Sequence, residues 1–377
     1  MPLSSRIPPK LSDLLGESSS RRDFLARASV LGVTGAALAG CSPSTPEGQG
    51  TAAAGGQGGA PGAATLNNAN SKLDSAVHDM SGHASSATPE IVAGAAAAAF
   101  RRYDPELPPL ATERITRLHW RAQEVPVRIR EDTVVAGWTF EGDIPGPIVH
   151  VREGDTVEFT LTNEGDVPHS MDFHAAQVDP KVAFRSVNKG ESVTFTFKPR
   201  FAGAFMYHCG TAPVLMHIGA GMYGAIIVSP RQPLPAAREF VLVQSEYYLS
   251  PARNGVQAFD YSKMMGTLPD FVCFNGRPSQ YIDNPIRVKR GERVRFYVVN
   301  AGPTHPCAFH VVGEQFDTVY LGAPPGSPLR GVQTFGVPAG GGMIFEMIAD
   351  VEGEFPFVNH GFGHGQKGAI GFLVVES

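Results

Sequence analysis

The chain has 377 residues, enough for two ordinary domains, with 31 basic and 36 acidic residues and a formal net charge of −5. No basic run marks a nucleic-acid partner and no long apolar run is fit to span a membrane, while 43 Gly and 31 Pro suit many turns between short strands. The four Cys have no regular spacing, which excludes a disulfide framework and leaves each to be judged by its own surroundings.

In chain order, residues 1–40 read as an address. "SSRRDFLARASVLGVTGAALAGC" carries Arg21-Arg22, then Phe24-Leu25, then a modest apolar run, and resembles a bacterial twin-arginine export signal. Leu38-Ala39-Gly40-Cys41 resembles a lipoprotein cleavage box, with Cys41 as the lipidated first residue of the mature chain. The expectation is an exported protein, periplasmic or otherwise extracytoplasmic, held at a membrane through several lipid chains on Cys41. Residues 41–107 predict a flexible linker and N-terminal extension. Its first part is Gly, Ala, Ser and Pro with too little apolar bulk to fold. Further on, "HDMSGH" holds His78, Met80 and His83, which read as solvated surface rather than a copper site.

From residue 108 short runs of Val, Thr, Phe and Ile alternate with polar residues between Gly, Pro, Asn and Asp. The class is all-β, and an internal repeat divides it. "VREGDTVEFTLTN" (151–163) matches "VKRGERVRFYVVN" (288–300), and each copy leads into a His-bearing segment, "HSMDFH" or "HPCAFH". Each then approaches another His through "GAFMYHC" or "GEFPFVNHG" and closes on "GAIIV" or "GAIGFLVV". Two tandem β-sandwiches follow, 108–233 and 234–377, joined near "SPRQPLP".

The copies differ at one place. Fifteen positions separate Cys209 from Gly224, whereas eight separate His360 from Gly368, so only the first copy has the loop that carries His217 and Met222. A trigonal His₂Cys set with a weak axial Met marks a blue-copper electron-transfer centre. Cys209, His217 and Met222 supply three of these ligands, and His169, on a neighbouring strand, is the candidate for the fourth.

His208, beside Cys209, needs a separate explanation. Neighbouring side chains of a strand face opposite ways, so if Cys209 points into its sandwich, His208 points out. His169 and His174 are related by the same parity, and Asp172 shares the side of His174. His174 and His208 then meet outside the first domain as an incomplete metal site. A third imidazole has to come from another domain, and the second copy offers His360 or His310. Three histidines with an open position bind and activate a small ligand.

With "HSMDFHAA", "YHCGTAPVLMHIGAGMYGAIIV", "CAFHVVGEQFD" and "FVNHG" in hand, residues 108–377 resemble the copper-containing nitrite reductases of the two-domain cupredoxin family. The resemblance implies two cupredoxin-like Greek-key sandwiches and two coppers per chain. His169, Cys209, His217 and Met222 would hold the type 1 copper; His174, His208 and His360 the type 2 copper. Asp172 and His310 would be the acid/base pair, and Val312 an apolar wall over the substrate. It also implies a homotrimer in which His360 serves a neighbouring subunit, and NO-forming reduction of nitrite by one electron and two protons. The donor would be a small cupredoxin or a c-type cytochrome. Two departures fall near substrate access: "QVDPKVAF" replaces the usual Gly-rich run, and "GFGHGQKG" after His360 adds His364. Cys273 and Cys307 read as buried small apolar residues. Two other classes remain to be weighed. A two-domain multicopper oxidase would need about eight histidines, mostly in His-x-His pairs, and the chain has no such pair. A simple copper carrier would leave Asp172, His174, His310 and His360 without a task, and a hydrolytic zinc at the three-histidine site would leave the type 1 copper without one.

Overall fold

The structure, a computed structural model, describes residues 97–326 and 328–377. The export signal, Cys41, the tether and the His78/Met80/His83 cluster lie outside the described residues. Among the described residues, no helix is long and apolar enough to cross a membrane.

Four sheets form two β-sandwiches. The first sandwich pairs two sheets built from β1 (Ile115–Arg130), β2 (Thr133–Phe140), β3 (Val149–Arg152), β4 (Thr156–Asn163), β5 (Asp172–Phe173), β6 (Ser192–Phe197), β7 (Gly203–His208) and β8 (Tyr223–Ser229). Their orders are β2-β1-β4-β6, with a two-residue β10 (Val256–Gln257) on the edge at β2, and β3-β8-β7-β5. The second sandwich repeats the plan with β9 (Arg238–Tyr247), β11 (Phe271–Phe274), β12 (Asn284–Lys289), β13 (Arg293–Gly302), β14 (Cys307–Val311), β15 (Thr318–Tyr320), β16 (Thr334–Val337), β17 (Gly342–Ile348), β18 (Gly353–Asn359) and β19 (Ile370–Glu376). The sheets run β11-β9-β13-β17-β15 and β12-β19-β18-β14-β16.

Side-chain periodicity explains how the sandwiches stack. β6 reads Ser-Val-Thr-Phe-Thr-Phe and buries every second residue, as a strand with one wet face must. β9 and β13 are buried along nearly their whole length. Phe240, Leu242, Phe296 and Val298 enter the core of their own sandwich, while Val241, Val243, Tyr297 and Val299 join the core of the first. One sheet is thus covered on both faces, and the sandwiches share an apolar interface. Gly342 in β17 marks a point of close approach: a Cβ there would lie 2.2 Å from the carbonyl oxygen of Ala204 in β7. The chain before β1 also docks, with Tyr103 N donating to Gln280 Oε1 at 2.7 Å and Tyr103 Oη to the Gly146 carbonyl at 3.2 Å.

The repeat is a repeat of hydrogen bonds. Asn163 and Asn300, each fully buried, hold the loops that lead to the His-bearing segments. Asn163 Oδ1 accepts from Gly165 N at 2.8 Å, and its Nδ2 donates to the carbonyls of Val167 (2.7 Å) and Val187 (3.0 Å). Asn300 does the same for Gly302 N (3.0 Å) and the carbonyls of His305 (2.8 Å) and Val337 (3.0 Å). Removing such an amide strands buried backbone groups, each worth about 1–3 kcal/mol. Asn163→Ala therefore lowers the thermal-unfolding midpoint well below that of Thr160→Ala, whose hydroxyl meets only the exposed Thr194. Equal midpoints for the two variants would contradict this role.

Candidate metal centres

The first centre sits at one end of the first sandwich. His169 lies in the loop pinned by Asn163, Cys209 directly follows β7, His217 belongs to a short helix (Val214–Gly219), and Met222 immediately precedes β8. All four are buried. The Nδ1 atoms of His169 and His217 are 3.2 Å apart, and Cys209 Sγ is 3.2 Å from His217 Nδ1. Metal–nitrogen and metal–sulfur bonds of roughly 2.0–2.3 Å put neighbouring donors on the order of 3–4 Å apart, so the spacing fits one small cation. The Met222 backbone joins the other ligands: its N–H donates to the His217 carbonyl and its carbonyl accepts from Cys209 N, each at 3.1 Å.

The surroundings favour a thiolate. Burial alone would push the Cys209 thiol up, but the His217 charge and hydrogen bonds from both imidazoles hold it well below the ordinary thiol range. Ser170 N donates to Cys209 Sγ at 3.3 Å. Burial opposes charge on His169 as well, yet Cys209 and Glu124 hold its pKa above the ordinary imidazole value. His169 Nε2 closes no hydrogen bond but lies 3.4 Å from Glu124 Oε1, which accepts from the backbone N–H groups of Asp166 and Val167 at 2.9 Å each. Trp138 packs edge-on against both imidazoles, with centroids 4.7 Å from His217 and 5.7 Å from His169.

The second cluster lies on the opposite side of the same chain segment. Asp172 of β5 stands directly across from His208 of β7. His208 Nδ1 donates to the Cys209 carbonyl and His174 Nδ1 to the Gly340 carbonyl, both at 2.9 Å. A carbonyl only accepts, so each Nδ1 carries a proton, and in the neutral ring each Nε2 then presents a lone pair. Those two Nε2 atoms are 3.0 Å apart, with Asp172 Oδ2 3.8 Å from that of His208. Two lone pairs cannot hydrogen-bond one another, so the arrangement calls for a cation between them. Partial burial and the neighbouring His208 hold His174 below the ordinary imidazole range. An apolar groove of about 460 Å³, lined by Phe201, Phe205, Leu321 and Met343, runs up to His174.

His310 and His360 lie together on the other sheet of the second sandwich, rings 5.3 Å apart. His310 Nδ1 donates to the Gln333 carbonyl at 2.6 Å, and Val312, two residues on, is exposed. Among the described residues, neither joins the His174/His208 cluster within one chain. His364 joins neither candidate metal cluster and is not free in solvent: its ring lies tilted against His305 with centroids 4.6 Å apart, and its Nδ1 lies 3.1 Å from Asn359 Nδ2. Cys273 and Cys307 are fully buried, and burial pushes the Cys273 thiol up to about 12. Motif reading missed Glu124, Trp138 and Gly340, which come from distant segments and show no local signal. Ser170 was within reach, since it adjoins His169.

The multicopper oxidase family model matches residues 121–233. The copper-containing nitrite reductase of Neisseria gonorrhoeae is 40% identical over 285 residues, covering 72% of this chain and 72% of its own. That of Cereibacter sphaeroides is 31% identical over 290 residues, covering 70% of this chain and 76% of its own. The solved copper nitrite reductase of Nitrosomonas europaea superposes with a TM-score of 0.66 at 37% identity, covering 70% of this chain and 94% of that one. The chain belongs to the copper-containing nitrite reductase family. Within it, the His169–Cys209–His217–Met222 set is the type 1 copper site.

Partners that orient metal ligands typically matter by about 10–100-fold in affinity. Glu124→Ala leaves the ligand count intact but frees His169. Copper at the type 1 site should then be lost to a chelator at about 10–100-fold lower concentration, followed by the thiolate-to-copper absorption band. Unchanged retention would mean that Glu124 is not an orienting partner.

Proposed function

We propose that the chain reduces nitrite to nitric oxide and water, with His174 and His208 of one subunit and His360 of a neighbour holding a type 2 copper. The observation that carries this reading is the pair of Nε2 atoms of His174 and His208, 3.0 Å apart, with His208 one residue from the type 1 Cys209. When bound, the two coppers supply one-electron transfer and a Lewis-acidic open position. The chain supplies the rest. The His208–Cys209 peptide joins the two ligand sets by a few covalent bonds. Asp172 stands beside the His174/His208 pair, where its carboxyl can hold nitrite by a hydrogen bond and deliver a proton to the departing oxygen. His310, its Nδ1 anchored to Gln333, leaves Nε2 for the second proton. Val312, just past the end of the same strand, offers an apolar wall that shapes the pocket. The balance is nitrite plus one electron plus two protons to nitric oxide plus water.

Among the described residues no third imidazole joins His174 and His208 within one chain, which supports a second site between subunits, and the family resemblance supports a homotrimer. In this reading residues 108–233 form the type 1 domain and 234–377 the domain that completes the type 2 site. A small cupredoxin or c-type cytochrome is the proposed donor. The twin-arginine pattern and Cys41 support an extracytoplasmic, lipid-anchored protein. The oxidase alternative is disfavoured by the chain's lack of any His-x-His pair.

The purified, copper-loaded protein should bind two coppers per chain and form nitric oxide from nitrite anaerobically with an artificial reductant. His174→Ala should lose one copper and all turnover but stay blue or green. Asp172→Asn should keep both coppers and lose on the order of 10²–10⁴ in kcat, the usual weight of general-acid assistance. A fully loaded chain that forms no nitric oxide refutes the proposal.

A further inference from the structure

The type 1 loop is closed from behind by a residue that is not a ligand. Ile144 is fully buried, and its Cδ1 fills the space where Gly221 would carry a Cβ, 2.3 Å away. Gly221 has φ +119°, so that position takes glycine both for its backbone turn and for the room Ile144 occupies. Met222, the axial ligand, is the next residue. Trp138, which packs on both type 1 imidazoles, leads back to the same place: its N–H donates to the Ala220 carbonyl at 3.0 Å.

Ile144 is itself gripped by the second sandwich. Arg277 is 4% exposed and follows the turn after β11. Its Nη1 donates to the Ile144 carbonyl, its Nη2 to Asp143 Oδ1 at 2.7 Å, and its Nε to the Arg101 carbonyl at 3.1 Å. Gly276, with φ +68°, brings its backbone so close that a Cβ would lie 2.1 Å from Ile144 O. Tyr247 Oη fixes that turn by donating to the Gly276 carbonyl at 2.9 Å. A guanidinium drawn out of water is costly unless its donors are matched, and here each of its three nitrogens is.

We propose that Arg277 is a positioning residue for the type 1 centre: it clamps Asp143 and Ile144 and so seats Gly221 and the axial Met222. The long axial contact tunes the potential and electronic character of such a centre, so the second sandwich, which binds no type 1 metal, sets that property of the first. The inference rests on the type 1 assignment.

The test uses the copper-loaded full chain. Arg277→Met keeps the side-chain length and drops the three hydrogen bonds. It should change the intensity ratio of the two thiolate-to-copper absorption bands and shift the midpoint potential, at unchanged type 1 copper content. Ile144→Val should shift both in the same direction, and the double variant should not add, since the two act in series. Arg295→Met removes another buried arginine of the second sandwich, paired with Glu346 and Glu239, and should lower thermal stability without touching spectrum or potential. If Arg277→Met does not fold, Ile144→Val and Asp143→Asn are read in its place. Parental spectra and potentials in the clamp variants, or an equal shift in Arg295→Met, overturn the clamp. A parent chain without a type 1 spectrum overturns the type 1 assignment instead.

Discussion

Side chains of an extended strand leave it on alternating sides, and the arrangement at His208–Cys209 depends on that parity. Cys209 turns into the first sandwich, where it is fully buried, and His208 turns out to face Asp172 across the β5–β7 pair. A register slip of one residue would send the thiolate to the surface and the imidazole into the core. The strand is held against slipping by its neighbours: β8 pairs with β7 from Gly203 to His208, and Gly342 of β17 packs directly on Ala204. His208 adds a lock of its own, because its Nδ1 donates to the carbonyl of the residue that carries the thiolate. Cys209 therefore carries one ligand atom on its side chain and orients the His208 imidazole through its carbonyl.

Each cluster is electrostatically incomplete as protein alone. At the first, a thiolate and two imidazoles are shut away from water with Glu124 at their edge. At the second, two lone pairs face one another at 3.0 Å. Both arrangements improve when a cation enters, so metal binding and the stability of these loops are linked. The ligands are nonetheless held in place by groups that bind no metal. Asn163 pins the loop before His169, Gly340 fixes the tautomer of His174, and Ser170 N–H points at Cys209 Sγ. Such a frame lets an electron arrive with little rearrangement.

Much of this was legible in the chain because it is encoded locally. Three type 1 ligands lie within fourteen residues, from Cys209 to Met222, and the parity argument needs only adjacent positions. The repeat was legible too, although the reason its Asn recurs became clear only from the bonds that Asn163 and Asn300 make. Strand lengths were less legible. β5 is two residues long, so His169 and His174 lie outside it, and their opposite facing owes as much to the flanking loops as to the pleat. Groups brought in from afar could not be read at all. Glu124, Gly340 and Arg277 carry no motif, and their positions follow from sheet packing. His364 illustrates the converse: a histidine next to a motif drew attention, while its structural partners, His305 and Asn359, lie in the second sandwich's own framework.

The second sandwich keeps the repeat's framework but has a shortened loop after His360, so it has lost the means to hold a type 1 metal. What it retains is a set of surfaces aimed at the first. β9 and β13 bury a full face against it, Met264 fills the space over Gly219 in the ligand-bearing helix, and Arg277 reaches the turn behind Gly221. Met264 directly, and Arg277 through Ile144, bear on glycines within the His217–Met222 segment. A sandwich free of its own redox metal can pack rigidly there without having to accommodate a second ligand loop. Its opposite sheet carries His310 and His360, away from that interface. One copy thus has two separate surfaces, one bracing the electron-transfer loop of its own chain and one presenting imidazoles outward. The asymmetry between the copies confines the type 1 ligand set to the first of them.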